Sequence, residues 1–150
     1  MKIKIIKAEQ KHIKEVGILF DLYRQFYKYE SNLIQSTNYI KERIYNKESK
    51  IFIAINNREE PVGFVQLYET FGSLDLGKII ILYDLYVKKD HRKNNIGKQL
   101  MIKSHEYAKK IKAKRIQLST AIDNFIGQSL YESLGYVKDI DFYTYDFEIK

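Results

Sequence analysis

The chain has 150 residues, with no cysteine, no tryptophan, one proline and seven glycines, and its 26 Lys and Arg against 19 Asp and Glu leave a formal charge of +7. That length suits a single domain with one hydrophobic core, which at this size buries roughly two-thirds of the unfolded surface. Without cysteine there is no disulfide framework, no thiolate metal site and no cysteine nucleophile.

Residues 3–7, IKIIK, read as a short strand, and the N-terminal MKIKIIKAEQ never opens into the apolar run of a signal peptide. Ile13, Val16, Phe20, Tyr23 and Tyr27 recur at three and four, which predicts an amphipathic helix from Gln10 to about Tyr27. After a loop at KYESNL, Ser36 or Thr37 is expected to cap a second helix that buries Ile40 and Ile44. IFIAIN at 51–56, the turn NNREEP and VGFVQLYET at 62–70 have the pattern of a hairpin, and a loop at FGSLDLG leads to a third β-rich run, 78–87. The period then changes. Ile96, Leu100, Ser104, Tyr107, Ala108 and Ile111 mark one face of a four-turn helix, followed by a strand at 115–120, a helix from Asn124 to Leu134 stopped by Gly135, and a last strand at 142–149. The order predicts one mixed α/β domain over 1–150. The longest apolar run, IIIL at 79–82, is far too short to cross a bilayer, so a cytoplasmic protein with no membrane partner is expected.

The charge is local. Residues 83–120 hold eleven Lys and Arg against three Asp and Glu, and the rest of the chain sums to about minus one. Inside that stretch the strand LYDLYV, the loop KKDHRKNN and the helix start IGKQL would turn unpaired N–H groups and the positive end of a helix dipole toward one point. Asn95 and Gly97 tolerate the backbone angles such a nest requires, and Lys88, Lys89, Arg92, Lys93 and Lys98 surround it. The same residues also describe a solvated basic loop before an ordinary helix. A nucleotide triphosphatase loop is excluded, because Gly97-Lys98 is followed by Gln99 and no glycine precedes it by five. No aromatic-rich stacking motif accompanies the basic stretch, so nucleic acid is not the expected partner. His12, His91 and His105 lack metal-ligand spacing, and no metal is expected.

The segment LYDLYVKKDHRKNNIGKQLM resembles the acyl-CoA motif of the GNAT superfamily of N-acetyltransferases, Gln/Arg-x-x-Gly-x-Gly/Ala, with Arg92, Asn95 and Gly97 at the defined positions and Asn95 in place of the first glycine. AIDNFIGQSLYESLGY at 121–136 resembles the family's later motif, and the likeness extends over nearly the whole chain, as in small single-domain bacterial members. The resemblance implies a mostly antiparallel central sheet flanked by helices, whose strands at 78–87 and 115–120 splay to leave a slot for acetyl-CoA. It implies that the backbone of Leu85, Tyr86 and Val87 meets the pantetheine arm. Arg92, Lys93, Asn94, Asn95, Ile96, Gly97, Lys98 and Gln99 would hold the pyrophosphate, and Asn124 would contact the arm. Tyr131 would protonate the departing thiolate. Read as residues alone, Tyr131 is also a packed aromatic, Asn124 an N-cap, and Asp84 a partner for a nearby lysine.

Acetyl transfer to an amine needs that amine neutral, so something must take its proton. Family members often carry Glu where this chain has Tyr83, which leaves Asp84 as the leading base, with Glu69, Glu30 and a water relay as alternatives. The acceptor wall is expected from Tyr23, Phe26, Tyr27, Tyr29, Glu30, Tyr68 and Glu69, a lining suited to a small cationic amine. A protein lysine or N-terminus as acceptor, and a catalytically inactive acyl-CoA-binding module, are the other readings. The oligomeric state stays open, with a homodimer among the options because family members often form one.

Overall fold

The alternating and apolar runs of the sequence assemble into a five-stranded sheet in the order β1 (Lys4–Lys7), β2 (Lys50–Ile55), β3 (Pro61–Gly72), β4 (Gly77–Val87), β5 (Ile116–Gln117). A computed structural model describes residues 2–150, which divide into two compact units, residues 2–118 and residues 119–150. The sheet belongs to the first unit. Its pairings are antiparallel except β4 with β5, which run parallel because α3 (Ile96–Lys110) carries the chain across between them. The expected mixed, mostly antiparallel architecture is thus present.

Neighbouring residues of a strand point to opposite faces, and β3 shows where each layer lies. Phe64 packs edge-on against Phe20 and Tyr23 of α1 (Ile13–Phe26). Phe52, paired with Val65, meets Tyr107 of α3 instead. So α1, with α2 (Leu33–Tyr45) packed on it, covers one face, and α3 covers the other. Val16, Leu19, Phe20, Ile40, Ile51, Ile53 and Phe64 form the core on the α1 side, each large side chain contributing about 1.5–3 kcal/mol by leaving water.

Several boundaries differ from the sequence reading, and each difference has a local cause. The first three residues of the predicted first helix, Gln10–His12, form a 3-10 turn before α1. The cap of α2 is Asn32, whose side chain accepts from the Gln35 N–H, so the helix starts inside the segment read as a loop. Ser36 is buried and donates to Asp21 Oδ1 at 2.8 Å. Asp21, 4 % exposed, also accepts from Ser31 Oγ, Gln25 Nε2 and the Asn32 N–H, which ties the α1–α2 connection to the core. The FGSLDLG segment is a tight hairpin turn between β3 and β4. Only Ile116 and Gln117 of the predicted 115–120 strand pair with β4.

In the second unit α4 (Phe125–Ser133) is capped by Asn124, whose side chain accepts from the Gly127 N–H. Gly135 at φ 90° ends it, with the Gly135 N–H bonded to the Glu132 carbonyl and the Tyr136 N–H to the Tyr131 carbonyl, the arrangement that makes glycine the favoured stop. The alternating run 142–149 is not a strand: it finds no ladder partner within its unit.

Candidate functional site

The site grows from an irregularity in β4. Leu82 pairs with Leu67 and Asp84 with Gln66, so Tyr83 is an extra residue, a bulge that re-aims the side chains after it. Its carbonyl, left out of the ladder, accepts from the Tyr23 hydroxyl at 3.0 Å. On the other edge of β4 the pairing with β5 stops at Ile81, so among the described residues of this unit Leu82 to Val87 have no ladder partner on that side. Within this unit the backbone groups of Leu85 and Tyr86 on that edge are therefore outside the ladder, while the Val87 carbonyl is taken by Arg92.

The bulge turns Asp84 toward the α1 and α2 face, in line with Gln66 and Phe64. The carboxylate is 2 % exposed and accepts from Gln66 Nε2, and Ser49 Oγ in turn donates to Gln66 Oε1 at 2.8 Å. Burial pushes the Asp84 carboxyl up to about 6, against the lowering effect of its hydrogen bonds with Gln66 and Tyr23. The neighbouring phenols respond. Burial first and the Asp84 charge second hold the Tyr23 hydroxyl well above the usual tyrosine range. Tyr68 is raised by burial and then by its 2.6 Å hydrogen bond with Tyr39, with Asp84 adding a smaller contribution. Tyr83 lies edge-on to Tyr68, and Tyr23 to Tyr27, whose ring meets Phe26. One carboxylate therefore sits inside a collar of tyrosines.

The loop after β4 departs from expectation at Gly97, which lies within α3 and is not among the residues with left-handed backbone. Lys93 and Asn95 both adopt left-handed backbone, at φ 64° and 59°, and α3 starts at Ile96 with its first internal bond from the Gln99 N–H to the Asn95 carbonyl. The N–H groups of Ile96, Gly97 and Lys98 precede that bond and have no intrahelical acceptor. Asn94 Nδ2 donates to the His91 and Arg92 carbonyls and holds the turn closed, and His91 Nδ1 is buried there without a partner. Arg92 turns back: its Nε donates to the Val87 carbonyl at 2.9 Å, and its guanidinium lies over the rings of Phe26 and Tyr86. Loop, cations and unpaired strand edge together fit a ligand with a polyanionic end and an amide-bearing arm.

Asn124 and Tyr131 belong to the second unit. Asn124 donates from Nδ2 to Thr120 Oγ1 while capping α4. Tyr131 lies 6.2 Å, ring to ring, from Tyr136, whose hydroxyl burial and Tyr131 push up to about 12. Of the other acids, Glu69 points to the α3 face, accepting from the Tyr107 hydroxyl and facing Lys78, on the opposite side of the sheet from Asp84. Glu30 is exposed between α1 and α2, and Tyr29 lies under Arg24. Tyr23, Phe26, Tyr27 and Tyr68 are brought together as expected, joined by Tyr39, Gln66 and Ser49, which the sequence reading passed over because their partners are set by strand register.

Residues 17–136 match the model of the acetyltransferase (GNAT) family. An uncharacterized N-acetyltransferase of Bacillus subtilis is 37% identical over 143 residues, 95% of each chain. A probable acetyltransferase of Haemophilus influenzae is 29% identical over 89% of this chain and 90% of its own. The crystal structure of a probable acetyltransferase superposes with a TM-score of 0.91 at 33% identity, covering 98% of both chains.

Proposed function

This chain belongs to the acetyltransferase (GNAT) family and is an N-acetyltransferase, and from that premise we propose that it acetylates a primary amine on a small molecule by direct attack in a ternary complex. The observation that carries the reading is the single carboxylate, Asp84, buried in a collar of tyrosines beside the unpaired edge of β4. Enzymes of this family generally take the acetyl group from acetyl-CoA, whose thioester supplies an activated carbonyl. Here the loop from Arg92 through Lys93, Asn94, Asn95, Ile96, Gly97 and Lys98 to Gln99 holds the phosphates. Leu85, Tyr86 and Val87 offer backbone groups to the arm, one N–H stabilising charge on the carbonyl oxygen. Asn124 takes its contact with the arm, and Tyr131 its role as proton donor, from their positions in the later motif.

Asp84 receives the ammonium proton through a water relay past the tyrosine rim, leaving the nitrogen lone pair free to attack. When the carbon–sulfur bond breaks, Tyr131 gives its proton to the sulfur and recovers one from the acetylated nitrogen, so protons balance. The aromatic faces of Tyr23, Tyr27 and Tyr68 attract a cation, and a slender amine reaches a recessed carboxylate more readily than a folded protein surface does.

Release of free thiol from acetyl-CoA, followed across polyamines, amino sugars, amino acids and lysine or N-terminal peptides, tests the reading. Amine-dependent release with a small molecule supports it, and release only with peptides assigns a protein acceptor. Tight binding of acetyl-CoA with no release by any amine leaves a binding module.

A further inference from the structure

The Asp84 carboxyl is backed by two groups that each carry both a donor and an acceptor. Ser49, at the entrance to β2, donates to Gln66 Oε1 over 2.8 Å, and Gln66, wholly buried, donates from Nε2 to Asp84 Oδ2. A hydroxyl donates or accepts, and an amide is a donor at one end and an acceptor at the other. The chain therefore has two self-consistent directions. With Asp84 ionised, donors point from Ser49 toward the carboxylate, the direction the structure holds. With Asp84 protonated, a half-turn of the Gln66 amide offers Oε1 to the carboxylic O–H and Nε2 to Ser49 Oγ, and no buried polar atom loses its partner. Asp21 is built differently: one of its donors is the Asn32 backbone N–H, which cannot reverse.

We propose that Ser49 and Gln66 are positioning residues for proton removal from the acceptor amine, a reversible relay that satisfies Asp84 in both charge states and so lets a buried carboxyl take up and release a proton in each turnover. The proposal rests on Asp84 being the proton acceptor. Tyr23 of α1 and Tyr68 of β3 also act on that carboxyl, with Tyr27 beside Tyr23, Tyr83 of β4 edge-on to Tyr68, and Tyr39 and Arg43 of α2 behind Tyr68. Arg43 is engaged by Glu42 and Glu48, and the Tyr23 hydroxyl donates to the Tyr83 carbonyl, which leaves the relay as the partner of Asp84 that reverses its direction.

The test is the pH profile of kcat/KM for the amine in the wild type, Gln66→Leu, Ser49→Ala, Ser49→Thr and Asp84→Asn. Gln66→Leu removes a donor to the charged form, so Asp84 holds its proton to higher pH. The acid limb should move alkaline by about one pH unit, a roughly tenfold loss below the limb that is regained on the plateau. Ser49→Ala, which touches only the outer end of the relay, should move the limb the same way by less, and Ser49→Thr should restore it. Ser49→Ala remains decisive if Gln66→Leu does not fold. A structural role alone would lower the rate at every pH and leave the limb in place. An unmoved limb in both relay variants, with no limb in Asp84→Asn, overturns the relay and keeps Asp84 as base. A limb that persists in Asp84→Asn overturns both.

Discussion

Two buried aspartates in the first unit have opposite energetics, and the contrast separates function from structure. Asp21 pays its cost of burial with four donors, and their combined effect, working against that burial, holds its carboxyl below the ordinary value. It stabilises the fold above its unfolded value, and that contribution is lost as pH falls through the lowered one. Asp84 is raised to about 6 because burial outweighs its hydrogen bonds. Its sign is reversed: folding favours the protonated form, so the carboxylate costs stability progressively as pH rises from about 4 to about 6, a shift worth up to about 3 kcal/mol at neutral pH. Asp84→Asn should therefore raise the denaturant midpoint at pH 7.5 and lose that advantage at pH 4. Its kcat/KM should fall about 10²-fold or more and lose the limb near pH 6. Equal stability at both pH values would remove the burial argument. Asp84 was legible in the sequence as one of few acids in a basic stretch. Gln66, eighteen positions earlier, and Ser49 were not, because the register that unites them is a long-range property.

At the scale of elements, the strand–loop–helix unit was readable because its signals are local: a residue able to adopt left-handed backbone, glycine, and cations close together. Asn95 at φ 59° meets that need with a short polar side chain. Asn95→Ala should cost about 1 kcal/mol of stability and weaken acetyl-CoA binding, while Asn95→Gly should bind at least as tightly, both read by calorimetric titration. The bulge at Tyr83 left no such mark, since GKIIILYDLYV is a nearly unbroken apolar run that does not say where a register shifts. Nor did the α1–α2 contact announce itself. A Cβ on Gly17 would collide with Thr37 Oγ1 and stand 2.9 Å from Thr37 Cα, so the backbones must separate. Helix propensity favours alanine by about 1 kcal/mol, but overpacking costs about 1–3 kcal/mol, and the backbone contact leaves little room to relax. Gly17→Ala should thus lower the unfolding midpoint, whereas a gain would mean that α2 yields freely.

Across the whole chain the net charge of +7 is a poor guide until it is located. Residues 83–120 carry a surplus of eight, around the loop assigned to the phosphates, and the last thirty residues carry two Lys against six carboxylates. A general field and a local one make different predictions. Lys93→Glu and Lys14→Glu each replace one cation with an anion, so either takes the formal charge from +7 to +5. Lys93 lies in the loop before α3, whereas Lys14 is exposed on α1. If location governs, Lys93→Glu should raise the KM for acetyl-CoA about tenfold and Lys14→Glu should leave it within about twofold. Raising ionic strength from 50 to 500 mM should raise the wild-type KM by about threefold and shrink the gap between the two variants, because the screening length falls below the size of the loop's surroundings. Equal effects of the two reversals would mean that total charge draws the donor in. A KM indifferent to both would leave the phosphates to the backbone donors of Ile96, Gly97 and Lys98, whose short-range bonds salt hardly screens.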